Sequence, residues 1–127
     1  MEFNISNGMK TTLQISVGKK DTASSYGSGA VDVFATPAMI ALMENAAKVV
    51  VDEYLQDGFT TVGIAISTNH IKATPIGMKV KCEAIVEKVD GKKIEFKVTA
   101  WDEVGKIGEG CHTRYIIDVE KFMSKLK

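Results

Sequence analysis

Residues 34–55 read FATPAMIALMENAAKVVVDEYL, the longest apolar run in the chain. Thr36 can cap a helix with its hydroxyl, and Pro37 suits the first helical position because its missing N–H would go unpaired there anyway. A helix is therefore expected to start at this pair. Ala38 to Met43, then Ala46, Ala47 and Val49 to Val51, put apolar side chains around most of its circumference, the mark of a helix enclosed by protein. One residue is out of character: Glu44 lies among Met, Leu and Ala.

Working outward, the chain on either side reads as sheet. Before the helix, TTLQISV (residues 11–17) alternates and is rich in β-branched types, a first strand. It is followed by GKKDTASSYGSGA, small and polar, expected as a mobile connector or a lid. Beyond the helix, Asp57-Gly58 is a stop signal, and TVGIAISTNHIKA starts the main run of strands. Without a bulge, Val62, Ile64, Ile66, Thr68 and His70 share the face turned to the helix.

From about Met78 to Val89 the apolar face is Val80, Cys82, Ala84 and Val86, and Asp90-Gly91 closes a hairpin. Ile94, Phe96, Val98 and Ala100 continue that face. On the last strand Cys111, Thr113, Tyr115, Ile117 and Val119 alternate with His112, Arg114 and Asp118, and the tail KFMSKLK is expected to fray. The order strand, long helix, four antiparallel strands gives an α+β fold in which a sheet curls around one central helix.

The chain has 127 residues, enough for one domain spanning 1–127. Its 16 basic and 16 acidic residues cancel, which argues against a nucleic-acid or polyanion partner. The helix is broken by Glu44, Asn45, Lys48, Asp52 and Glu53, so no membrane span is expected. Cys82 and Cys111 lack zinc or CxxC spacing, and the start MEFNISNGMK carries no apolar signal segment, so a soluble cytoplasmic protein is the expectation. P-loop, GxSxG, GxGxxG and metal-ligand patterns are absent from the sequence.

Five residues are candidates for chemistry, each with an ordinary alternative. Glu44 can head a polar i, i+4 stripe with Lys48 and Asp52, or can be a partly desolvated carboxylate of raised pKa, fit to act as general base or nucleophile. His70 can be a structural histidine, or can meet Glu44 or Thr36 beside the helix. Thr36 is explained locally as an N-cap, and functionally as a nucleophile beside helix N–H groups that could hold a polarised oxygen. Gly63 relieves packing or admits a close approach, and Arg114 is solvated or offers its fork to a phosphate or carbonyl. Eight residues of helix separate Thr36 from Glu44 by about 12 Å, so His70 must lie between them or a second subunit must complete the site.

Phe34-Ala35-Thr36, Leu42-Met43-Glu44, Gly63, His70 with Ala73-Thr74-Pro75, and Gly110-Cys111-His112-Thr113-Arg114 together resemble the fluoroacetyl-CoA thioesterase group of the hotdog superfamily, over Val33 to Phe122. The resemblance implies an acyl-CoA thioesterase in which Thr36, Glu44 and His70 are catalytic and Gly63 and Arg114 contact substrate. It implies no metal and no separate cofactor, since CoA is part of the substrate, and a homodimer or dimer of dimers with sites at subunit interfaces. The rival readings are an acyl-CoA binding module without catalysis and a hydratase-like hotdog enzyme on enoyl-CoA. The fluoroacetyl-selective enzyme of the group carries a gate phenylalanine four residues before the Phe of Phe-Ala-Thr. Ala30 stands there in this chain, so a broader or different small acyl group is expected.

Overall fold

In the computed structural model, which describes residues 3–127, strand β1 (Lys10–Ser16) is followed by a single 3-10 turn (Lys19–Asp21) and the short helix α1 (Ala23–Tyr26). Helix α2 (Thr36–Asp52) comes next, then β2 (Phe59–His70), β3 (Lys79–Asp90), β4 (Lys93–Asp102), β5 (Lys106–Asp118) and α3 (Val119–Ser124). The five strands form one antiparallel sheet in the order β1-β3-β4-β5-β2, and α2 packs on its inner face. This is the helix in a curled sheet that the apolar patterns predict.

The helix is less enclosed than its composition suggests. Its buried residues are Ala38, Met39, Leu42, Met43, Ala46, Ala47, Val50 and Val51, one stripe recurring every three to four positions. Facing them are Val80, Cys82, Ala84 and Val86 of β3 and Ile94, Phe96, Val98 and Ala100 of β4, as the alternation predicts. Fully burying one such large side chain is worth about 1.5–3 kcal/mol, which fixes the helix by that stripe. The opposite side, with Thr36, Pro37, Ala41, Asn45, Lys48 and Val49 exposed, is left uncovered among the described residues. The helix also ends at Asp52, earlier than Asp57-Gly58, which instead forms the turn into β2 with Gly58 at a φ of 90°.

Two strand assignments shift parity. In β2 the register against β5 slips between Gly63 and Ala65, so Ile64 is an extra residue, 55% exposed. Thr61 and Gly63 face the helix before the bulge, and Ile66, Thr68 and His70 face it after, whereas Ile64 was expected to share their side. In β5 the expected inner and outer faces exchange: His112, Arg114 and Ile116 are buried, while Cys111 and Tyr115 are exposed. The reason is packing, because Gly108 on that inner side lies under α2, where an added Cβ would meet Met39 Sδ at 2.6 Å.

The connector between β1 and α2 carries structure of its own. Ala23 N–H donates to the Val33 carbonyl and Ala35 N–H to that of Asp21, folding residues 18–35 into a closed loop. The tail after β5 is likewise helical, with Asp118 capping α3 through Lys121 N–H. Among the described residues no helix is long and apolar enough to cross a membrane.

A buried carboxylate pins the far end of the sheet. Asp102 accepts from Thr74 Oγ1 at 2.8 Å, Lys72 Nζ at 3.1 Å, and the N–H groups of Val104 at 2.8 Å and Gly105 at 3.1 Å. Thr74 in turn accepts at its carbonyl from Phe34 N–H at 2.8 Å, tying the start of α2 to the end of β4. Burial alone would raise the Asp102 carboxyl, but bonds from Val104, Thr74, Lys72 and Gly105 outweigh it and hold it down at about 2. Asp102→Ala, which leaves the buried Thr74 hydroxyl without this acceptor, is expected to lower the unfolding free energy by about 2–3 kcal/mol in urea titrations. Since the folded pKa is below the unfolded value of about 4, the carboxylate's share of stability is complete above that pH. It is lost as pH falls towards 2, and acid unfolding of the Ala variant should be correspondingly flatter in that window.

Candidate active site

Thr36 stands at the first position of α2 and is not its N-cap. Ala35 occupies the cap with extended backbone, φ −74° and ψ 141°, and has no side-chain acceptor to offer. The Thr36 hydroxyl, expected to bind the helix's own N–H groups, instead makes a 2.8 Å hydrogen bond to His70 Nδ1. Two consequences follow. The first-turn N–H groups have no side-chain partner from the cap, and a threonine and a histidine from different elements form a hydroxyl-imidazole pair.

His70 closes β2 and lies edge-on to the buried Phe34 ring, centroids 6.4 Å apart. Desolvation lowers its pKa from the ordinary histidine value, against an opposing influence of the Lys72 backbone, so the ring is neutral at pH 7. Its Nε2 is buried without a well-formed hydrogen bond. Beside the pair opens a cavity of about 290 Å³, lined by Ala23, Ser28 and Ala73 and by the larger Phe34, Ile71 and Lys72, together with Thr36 and His70.

Glu44 belongs to a second cluster. Lys48 pairs with Asp52, which breaks the expected Glu44, Lys48, Asp52 stripe, and Glu44 turns the other way, with Oε2 3.8 Å from Arg114 Nη1. Its side chain is 43% exposed, so within one chain it is not the desolvated carboxylate that its apolar neighbours suggest. Gly63 is the floor beneath it: a Cβ there would sit 2.9 Å from Glu44 Oε2, 3.1 Å from His112 Cε1 and 3.3 Å from Arg114 Nη1. Of the two readings of Gly63, close approach is the one this geometry favours.

Arg114, expected on a solvated face, is only 6% exposed. Its Nε donates to Thr61 Oγ1 at 2.7 Å, Nη2 to the Thr61 carbonyl at 2.9 Å and Nη1 to His112 Nε2 at 3.1 Å. Three of its five N–H groups are spent on the fold, and of the remaining two the one on Nη1 belongs to the nitrogen 3.8 Å from Glu44 Oε2. Burial lowers the guanidinium pKa from its ordinary value, with Glu44 and then Asp52 opposing, and the group stays charged.

His112 is the member that the β5 alternation misplaced. It is 2% exposed, and both ring nitrogens are engaged, Nδ1 with the Ala65 carbonyl at 2.7 Å and Nε2 with Arg114. The chain thus brings Thr36 to His70 and Glu44 to Arg114, Gly63 and His112, but no hydrogen bond joins the two clusters among the described residues. No group of three or more His, Cys, Asp or Glu suited to a metal occurs among the described residues.

Residues 17–120 match the family described as fluoroacetyl-CoA-specific thioesterase. Over 96 residues the chain is 40% identical to the fluoroacetyl-CoA thioesterase of Streptantibioticus cattleyicolor, covering 76% of this chain and 69% of that protein. The structure of the fluoroacetyl-CoA thioesterase FlK superposes with a TM-score of 0.92 at 33% identity, over 97% of this chain and 96% of that one. A Phe-to-Ala mutant of FlK in complex with fluoroacetate and CoA superposes at 0.86, also at 33% identity, over 93% and 99% of the two chains. A hot-dog-like protein from Thermanaerovibrio acidaminovorans, 20% identical, shares the fold at 0.87 over 94% and 89%. On sequence and fold alike, then, this chain is a hotdog-fold protein that belongs to the fluoroacetyl-CoA-specific thioesterase family.

Proposed function

We propose that the chain hydrolyses the thioester of a small acyl-CoA, with Glu44 as general base or nucleophile and the Thr36–His70 pair as its partner across a subunit boundary. The observation that carries this reading is the Thr36 hydroxyl, directed to His70 at 2.8 Å while α2 has no side-chain cap. One residue past the cap, that hydroxyl is not claimed by the helix's own N–H groups and is free to meet another element. Its pairing with an imidazole supports a catalytic use, as does the chain's place in a thioesterase family.

In the water route Glu44 draws a proton from water, whose oxygen adds to the thioester carbonyl. The C–S bond then breaks, and the CoA thiolate takes up a proton to leave free acid and CoA. In the covalent route the Glu44 carboxylate itself adds, the thiolate leaves, and water opens the mixed anhydride. Either way the carbonyl oxygen gathers negative charge, which the uncapped N–H groups and dipole of α2 can stabilise. Neutral His70 can take up, through the Thr36 hydroxyl, the proton that Glu44 draws from water and, as the imidazolium so formed, deliver one to the leaving sulfur. CoA enters as substrate and no further cofactor is required. Ala30, where the fluoroacetyl-selective enzyme of the group carries its gate phenylalanine, suits an enzyme less selective than one so gated.

A second copy is needed because the two clusters are too far apart along one helix. β2 is a 12-residue edge strand whose outer side has no strand partner among the described residues, an arrangement that invites strand pairing. Residues directly opposite in an antiparallel pair share a face. With Ile64 counted as the bulge, a twofold axis at Ser67 sets inward Gly63 opposite inward His70 of the partner subunit. Glu44, lying over Gly63, then approaches the Thr36–His70 pair of the other chain, and the homodimer holds two equivalent sites.

Glu44→Gln and His70→Ala are each expected to lower kcat by about 10²–10⁴-fold while leaving the fold intact, followed as thiol release from acetyl-, fluoroacetyl- and propionyl-CoA. Undiminished turnover in both would sink these roles. Gly63→Ala should cost about tenfold or more in kcat together with a fall in melting temperature, because the added methyl displaces the end of Glu44 at 2.9 Å and also crowds the buried His112 and Arg114 at 3.1 and 3.3 Å. Ser67→Cys tests the assembly in a Cys111→Ser background, which removes the thiol opposite on β5. At a twofold axis the Cα separation is about 4.5–5.5 Å, within disulfide range, so mild oxidation should give a covalent dimer. Monomer alone after oxidation would argue against this axis.

A further inference from the structure

We propose that His112 is a positioning residue of this site: anchored on the Ala65 carbonyl, its neutral ring holds the Arg114 guanidinium in place beside Glu44. The bonding pattern fixes the tautomer. Arg114 Nη1 can only donate, so His112 Nε2, 3.1 Å away, must be the bare nitrogen that accepts. The proton then lies on Nδ1, which donates to the Ala65 carbonyl at 2.7 Å. The ring is a two-ended strut, from the β2 bulge at one end to the guanidinium at the other.

A packing role alone does not require this. The ring stacks on Phe96, centroids 6.2 Å apart and planes 29° from parallel, and an apolar residue would fill the same space. What an apolar residue cannot supply is an acceptor for Arg114. Thr61 holds Nε and Nη2 but leaves Nη1, the nitrogen nearest Glu44 Oε2, to His112. The charged groups facing the ring are Arg114 from its own strand and Glu44 from α2, while β4 presents Phe96 and β2 the Ala65 carbonyl. Desolvation lowers the His112 pKa; the Ala65 bond opposes it, Arg114 adds to the lowering, and Glu44 opposes it. A neutral ring is the outcome, as the strut requires. An imidazolium would set N–H against N–H at the Arg114 contact.

The kinetic arm of the test rests on the thioesterase reading; the spectroscopic arm does not. In the full-length protein at pH 7, ¹⁵N spectra of histidine-labelled protein should show His112 protonated at Nδ1 and bare at Nε2. The opposite tautomer, or an imidazolium, would overturn the proposal whether or not any acyl-CoA is hydrolysed. For the second arm, His112→Gln places an acceptor near the Nε2 position, while His112→Asn keeps a donor near Nδ1 for Ala65 and loses the contact to Arg114. Gln is expected to stay within about threefold of the parent kcat and Asn to fall by roughly 10–100-fold, with melting temperatures alike. Equal activity in the two variants, or a loss that follows melting temperature, would assign His112 to packing and overturn the proposal. If the parent turns over no acyl-CoA the thioesterase reading fails on its own account, and the tautomer decides His112.

Discussion

The stripe of Ala38/Met39, Leu42/Met43, Ala46/Ala47 and Val50/Val51 holds α2 on the sheet, and the rest of the molecule is arranged around what it leaves over. Because the buried positions occupy one side, the row Thr36, Ile40, Glu44 and Lys48 is turned away from the densest packing. Thr36 at one end of that row and Glu44 two turns along each find a partner on the sheet, His70 and Arg114 respectively. Neither partner comes from the helix itself. The core thus determines where the polar groups lie, and the sheet determines what they meet.

Most of this architecture was legible in the residues. Period-two alternation in β3 and β4 marked the inner face correctly, since both strands are apolar on one side and carry most of their charged residues on the other. β5 defeated the same reasoning. Its inner face carries His112 and Arg114, which bury well only because Thr61, the Ala65 carbonyl and Phe96 receive them. Alternation sees polarity and cannot see partners supplied from elsewhere in the fold, so a buried polar row reads as a solvated one. The signal that could have corrected it was Gly108 and Gly110 on the parity of His112, small residues where the helix and β2 come close.

Thr36 shows the complementary failure. Thr-Pro at the head of an apolar run is good evidence for a helix start, and the helix does start there. The capping role did not follow, because boundaries read from sequence shift by a residue and a shift of one turned the cap into the first helical position. That displacement frees the hydroxyl for His70. The enclosed helix was misjudged for a related reason: the open side of α2 is apolar enough, with Pro37, Ala41 and Val49, to look buried in composition. Among the described residues it is not covered, because composition counts apolar side chains without saying which of them the sheet reaches.

The bulge at Ile64 acts as a phase shifter. Pleated strands alternate strictly, so in a regular β2 Gly63 and His70, seven positions apart, would lie on opposite faces. One inserted residue brings both to the side of the helix. A redesign that tidied this strand by removing the extra residue would gain regular hydrogen bonding and keep its apolar core, yet it would turn either Gly63 or His70 away from the helix. The sheet's irregularity is therefore information of the same standing as a side chain: it sets which residues share a face and so which can meet.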